Sequence, residues 1–86
     1  SRIWNSFDCH RLLHWAGEQG RQRELKMALF TAHFSEGRDI GDHEVLAEAA
    51  FAAGLDPIEA AAILASERYA SAVRAEENYW RREGVQ

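Results

Sequence analysis

The 86 residues predict an all-α fold of five helices. Three observations carry that expectation. Apolar residues recur at mixed three- and four-residue spacing, glycines stand just past the end of four of the five periodic segments, and no stretch alternates at period two for long enough to form a strand. No internal repeat and no low-complexity run interrupts the pattern, so residues 1–86 read as one helical unit.

The first helix is capped by Asn5 or Ser6 and carries Phe7, Leu12, Leu13 and Ala16, with Gly20 at the left-handed position beyond its end. A second runs from about Gln22 to Ser35 and is closed by Gly37. Leu25, Ala28, Leu29 and Ala32 lie on one side of it; Met27, Phe30 and Phe34 lie on the next. An apolar arc that wide predicts a helix sandwiched between neighbours. After the linker "EGRDIGD", Asp42 caps a third helix that reaches about Ala53 and stops at Gly54.

"LDPIEAA" is the clearest start signal. Asp56 caps, Pro57 takes the first helical position where its missing N–H costs nothing, and Glu59 stands three after the cap as in a capping box. The fourth helix is short and Ala-rich, which allows close approach of its neighbours. Ser66 is then expected to cap a fifth helix that ends near Glu83, before Gly84.

Composition removes several function classes. At 47% hydrophobic and 28% charged residues the chain is globular, yet too short for more than one modest core. Its net charge of −4 argues against a nucleic-acid backbone as partner. The single Cys excludes an internal disulfide framework, a CxxC redox pair and a zinc ribbon within these residues. No apolar run approaches the roughly 18 residues of a membrane span.

The densest chemistry lies in "NSFDCHRLLHW", residues 5–15. His10 and His14 are four apart and share a helix face, the spacing that zinc-binding helices use. A zinc protease places Glu directly after the first His. Here Arg11 stands there, and its charge opposes a nearby metal. Cys9 lies about 100° from His10 around the helix, on the side of Leu12, Leu13 and Ala16. The residues therefore favour Cys9 as a small core residue and the two His as edges of an amphipathic helix, over a metal site. A Cys–His nucleophile has less support, because adjacent helical positions do not face each other and no third orienting group is evident.

Other clusters are weaker. Asp39, Asp42 and Glu44 lack the alternating ligands of a calcium loop. Arg21, Arg23 and Lys26 read as the solvated start of the second helix. Tyr69, Val73 and Trp80 form a stripe on the fifth helix that Glu76 interrupts, the pattern of a packing seam.

Taken together, "NSFDCHRLLHWA", "LKMALFTAHFSEGRDIGDHEVL", "AGLD", "LAS" and "VRAEENYWRREGVQ" resemble the helical insertion of the DsbA family. The resemblance is to the cytosolic, FrnE-type thiol:disulfide oxidoreductases, with 2-hydroxychromene-2-carboxylate isomerases and kappa-class glutathione transferases as related folds. It spans essentially the whole chain, and "N-S-x-x-x-H-R-L" followed by "A-x-F-x-E-G-R-D-I" is its most specific part.

That resemblance implies a thioredoxin fold split by this segment, with the catalytic CxxC before it and the cis-proline strand after it. The 86 residues would then be the lid of a cytoplasmic oxidoreductase, carrying no catalytic residue, cofactor or metal of their own. Its partners would be the parent's thioredoxin domain and a thiol or disulfide polypeptide substrate. Asn5, His10, Arg11, His14, Trp15 and Trp80 would lie at the domain junction or the substrate groove. The family most often has Ala where this chain has Cys9, so no catalytic role transfers to that position. Without the parent domain, Phe7, Trp15, Tyr69 and Trp80 would lose their cover, and a homodimer centred near Trp80 is expected. Two other classes remain open: an isomerase or glutathione transferase insertion, and a non-enzymatic helical interaction module.

Overall fold

The computed structural model describes residues 7–84, and every regular element among them is helical. The order is α1 (Phe7–Glu18), α2 (Gln22–Phe30), α3 (His43–Ala52), α4 (Pro57–Leu64) and α5 (Ala70–Arg82). A π-helical stretch, Thr31–Ser35, continues α2 without a break and closes with the Glu36 N–H donating to the Thr31 carbonyl at 3.1 Å. The proposed caps Asn5 and Ser6 of the first helix lie outside the described residues.

α1 packs against α2, α4 and α5, and α3 packs against α2 and α4. Their apolar stripes meet in one core, whose fully buried members include Cys9, Leu12, Leu25, Leu29, Leu46 and Ile63. Ala60 of α4 is fully buried beside them, so the Ala-rich helix does lie close to its neighbours. Cys9 points inward as its helical phase requires, with Sγ 3.6 Å from the Ile40 carbonyl.

The ends of α1 and α3 use the same device. Gly20 (φ 73°) and Gly54 (φ 86°) turn the chain left-handed. The next residue's N–H then reaches back, Arg21 to the Ala16 carbonyl at 2.8 Å and Leu55 to the Ala50 carbonyl at 2.9 Å. An L side chain resists that conformation, which is why glycine stands there. At the other end of α3 the Asp42 carboxylate accepts from the Glu44 N–H, and Asp56 does the same for Ile58 at the start of α4.

Three expectations need correction. α2 is not sandwiched: its Leu25 and Leu29 side is buried, but Met27, Phe30 and Phe34 are 61%, 48% and 52% exposed. A bundle this small covers one side of α2 with α1 and α3 and has no further layer for the other. Glu59 does not complete a capping box, because its carboxylate accepts instead from the Arg68 guanidinium at 2.7 Å. Nor does Ser66 start α5. Its hydroxyl donates to the Ile63 carbonyl and accepts from the Arg68 N–H, closing α4, and α5 begins only at Ala70.

The reason for the late start lies in Arg11. This residue is 4% exposed, and its guanidinium enters the turn between α4 and α5. Nε donates to the Arg68 carbonyl at 3.1 Å, and Nη2 donates to the carbonyls of both Ile63 and Ser66 at 2.5 Å. Nη1 donates to Asp8, one turn back on α1, at 2.9 Å. The carbonyls at a helix C-terminus have no intrahelical partner and carry partial negative charge, so a cation is a fitting cap. Holding these carbonyls inward bends the chain until Tyr69 adopts φ 68°, the single left-handed non-glycine among the described residues. That conformation costs roughly 1–2 kcal/mol, and the Tyr69 hydroxyl, donating to Glu18 at 2.5 Å, helps hold it.

Arg11→Lys keeps the charge but loses the planar fork that reaches several acceptors at once. It should lower unfolding stability by about 3 kcal/mol, because a buried charge then lacks acceptors for its donors and the part-buried carbonyls of Ser66 and Arg68 lose the guanidinium. Urea denaturation followed by circular dichroism measures this; a loss below about 1 kcal/mol would mean that water satisfies the turn.

Candidate functional site

The residues of "NSFDCHRLLHW" separate into an inner and an outer set. Arg11 and Trp15 are each 4% exposed, so both face the core and neither presents a side chain to a groove. The expectation that Trp15 would lose its cover is overturned, because α1 lies at the centre of the bundle with packed neighbours on several sides. His10 and His14 remain at the partly exposed edge of α1. Asn5 lies outside the described residues.

Polar contacts tie this edge to its neighbours. His14 Nε2 is 3.2 Å from Glu76 of α5, so the residue that breaks the apolar stripe on α5 is the one that meets α1. His43, the first residue of α3, lies 2.8 Å from the second oxygen of Asp8. Among the described residues no group of three or more His, Cys, Asp or Glu is placed to hold a metal ion. His10 and His14 are partly exposed on α1, and His14 is engaged by a carboxylate across the helix interface.

Trp80 follows Glu76 by one helical turn and so lies on the same face of α5. It is 48% exposed and meets Tyr79 edge-on, with ring centres 5.1 Å apart. No residue of α5 after Val73 is buried. Nearer the body, Phe7 is half-buried under the guanidinium of Arg74, 5.1 Å from its ring centre. His10, His14 and Trp80 are thus the surface-accessible members of the proposed junction, and all lie on α1 or α5.

A second surface is the one that the wide apolar arcs of the sequence offer to a partner in the interaction-module alternative. Between α2 and α3 runs a groove of about 1020 Å³, lined by Met27 and Phe51 among others. The signal was the wide apolar arc of α2, which reads equally well as a doubly covered helix. Asp39 and Asp42 serve local turns, Asp39 accepting from the Gly41 N–H at 2.8 Å.

Burial pushes the Asp8 carboxyl up, but hydrogen bonds from His43 and Arg11, and the charges behind them, outweigh it and hold Asp8 below its ordinary value of 3.8. A carboxylate depressed on folding contributes stability that is present above its unfolded pKa and lost as pH falls through the folded one. Asp8→Asn should therefore be less stable than the parent sequence at about pH 6, with the difference shrinking below about pH 3.8. Melting temperatures of both proteins across pH give the answer; a difference that persists undiminished in acid would show that Asp8 acts by shape and not by charge.

No helix among the described residues is long and apolar enough to cross a membrane. Comparison with curated proteins and with solved structures gave no match. Comparison with protein families gave one that runs over residues 1–86 and is described as a DSBA-like thioredoxin domain. With five helices, no strand among the described residues and the whole sequence matched, the chain belongs to the DSBA-like thioredoxin domain family.

Proposed function

We propose that these residues are the helical lid of a cytoplasmic DsbA-family thiol:disulfide oxidoreductase, whose CxxC and cis-proline are borne elsewhere in the parent. One observation carries the reading: the family match extends over the whole chain, yet every regular element described is helical and the sequence holds a single Cys. A dithiol cycle needs a resolving thiol close to the attacking one. Cys9 is moreover fully buried in the core. The chemistry therefore belongs to a thioredoxin domain outside these residues, and the helices position and shield it.

In this reading His10, His14 and Trp80 face the thioredoxin domain, while Arg11 and Trp15 act from inside by holding α1 and the α4–α5 turn in place. The lid excludes water from the reacting disulfide and limits which polypeptides reach it. The coding sequence flanking residues 1–86 tests the assignment directly. A CxxC upstream is expected; a lone Ser or Cys there would assign the chain to the isomerase or glutathione transferase relatives instead. The 86-residue chain itself should not turn over in a dithiol-driven disulfide reduction assay, and turnover that disappears in Cys9→Ser would refute the lid reading.

We also infer that the isolated chain pairs with a second copy through the exposed end of α5. Burying a large apolar side chain is worth roughly 1.5–3 kcal/mol, and a two-fold contact lets Tyr79 and Trp80 cover their counterparts. Light scattering at micromolar concentration should give twice the chain mass, falling to the monomer in Trp80→Ser. A monomer in both proteins would show that the end of α5 needs no cover.

A further inference from the structure

We propose that the groove between α2 and α3 is a docking site for a basic amphipathic helix of a partner polypeptide. The proposal concerns a face that the lid reading leaves unused, and it does not depend on that reading.

The shape argues for a helix. The groove floor is made of small side chains, Ala28 and Ala32 from α2 and its π-helical extension, Val45 and Ala49 from α3. Small residues at the floor let a third helix approach to the usual separation of about 8–10 Å. Met27 and Phe51 stand on the two banks at 61% and 70% exposure, placed to close over an apolar ridge. The walls are helices, and no sheet edge exists among the described residues to accept an extended strand, which leaves the helix-in-groove mode.

The charge argues for a basic partner. The rim carries four carboxylates, Glu24, Glu36, Glu44 and Glu48, against two guanidiniums, Arg23 and Arg38. Arg38 lies 2.5 Å from Glu48 and 4.0 Å from Glu36, and Glu24 lies 3.7 Å from Arg21; each pair offsets both of its charges, and the rim keeps an excess of two carboxylates over guanidiniums. The whole chain, this rim included, carries a net charge of −4, which favours a cationic segment over an anionic one. An apolar floor under an acidic rim is complementary to a helix with an apolar stripe flanked by Lys or Arg, and unsuited to one flanked by Asp or Glu.

The test uses two labelled helical peptides of about fifteen residues with the same Leu stripe, one flanked by Lys and the other by Glu. Fluorescence anisotropy should show that the chain binds the Lys peptide at least about tenfold more tightly than the Glu peptide, with affinity falling as salt is raised. Phe51→Ser, at an exposed position that leaves the core intact, should weaken the Lys peptide by about tenfold. Glu44→Lys should weaken it roughly threefold while leaving the circular dichroism spectrum unchanged. Equal binding of both peptides, or binding indifferent to Phe51→Ser, would overturn the proposal. So would a chain dimer that Phe51→Ser dissociates, which assigns the groove to a second copy.

Discussion

The guanidinium of Arg11 is the constraint on which the arrangement of α1, α4 and α5 depends. It reaches from the middle of the bundle into the turn where α4 ends, and there it donates to the carbonyl of Ile63 and to those of Ser66 and Arg68, which lie in the turn beyond the helix. Taking a cation out of water costs several kcal/mol, so the arrangement is stable only because Asp8 supplies the counter-charge and the carbonyls the remaining acceptors. The fork geometry does what a point charge could not. One planar group addresses residues 63, 66 and 68 together, so the path of the chain from α4 to α5 is set by the shape of a side chain on α1. The late start of α5 and the left-handed Tyr69 follow from that hold.

Around this buried contact, α1 is tied to the rest of the bundle by exposed polar pairs: Asp8 with His43 of α3, His14 with Glu76 of α5, and Glu18 with Tyr69 at the start of α5. Each is worth little by itself, because solvent screens it and long side chains lose freedom in forming it. Their value is in register. The apolar core attracts α5 to α1 without fixing where along the helix it sits, whereas paired groups fix the slide and the rotation. The first turn of α5, through Val73, is the part that the core holds; Arg74 and Glu76 still meet α1, and Trp80 beyond them is exposed at 48%.

The result is a small bundle with two unlike surfaces. The α1–α5 side bears histidines and aromatic rings on elements held by specific polar pairs, which suits a fixed junction with a neighbouring domain. The α2–α3 side bears an apolar groove under an acidic rim, with α2 running into a π-helical stretch. An i to i+5 bond widens the helix locally and turns later residues out of α-helical phase. That suits recognition of a separate segment. In both cases membership of the DSBA-like family gives the context, while the surfaces themselves follow from which helix faces the core leaves uncovered.

Helix number, order and most boundaries were legible in the sequence because they rest on local physics. Glycine tolerates positive φ where Gly20 and Gly54 stand, Asp42 and Asp56 satisfy nearby backbone N–H groups, and Pro57 can only begin a helix. The inward phase of Cys9 was legible for the same reason, since helical geometry places it beside Leu12 and Leu13. Tertiary structure alone decided which apolar face of α2 is covered, since Met27 and Phe34 are as hydrophobic as Leu25 and Leu29 and only the count of neighbouring helices separates them. It also decided that Arg11 is buried. A charged residue after His10 reads as surface by default, and only the carbonyls brought to it from more than fifty positions along the chain make burial cheaper than solvation.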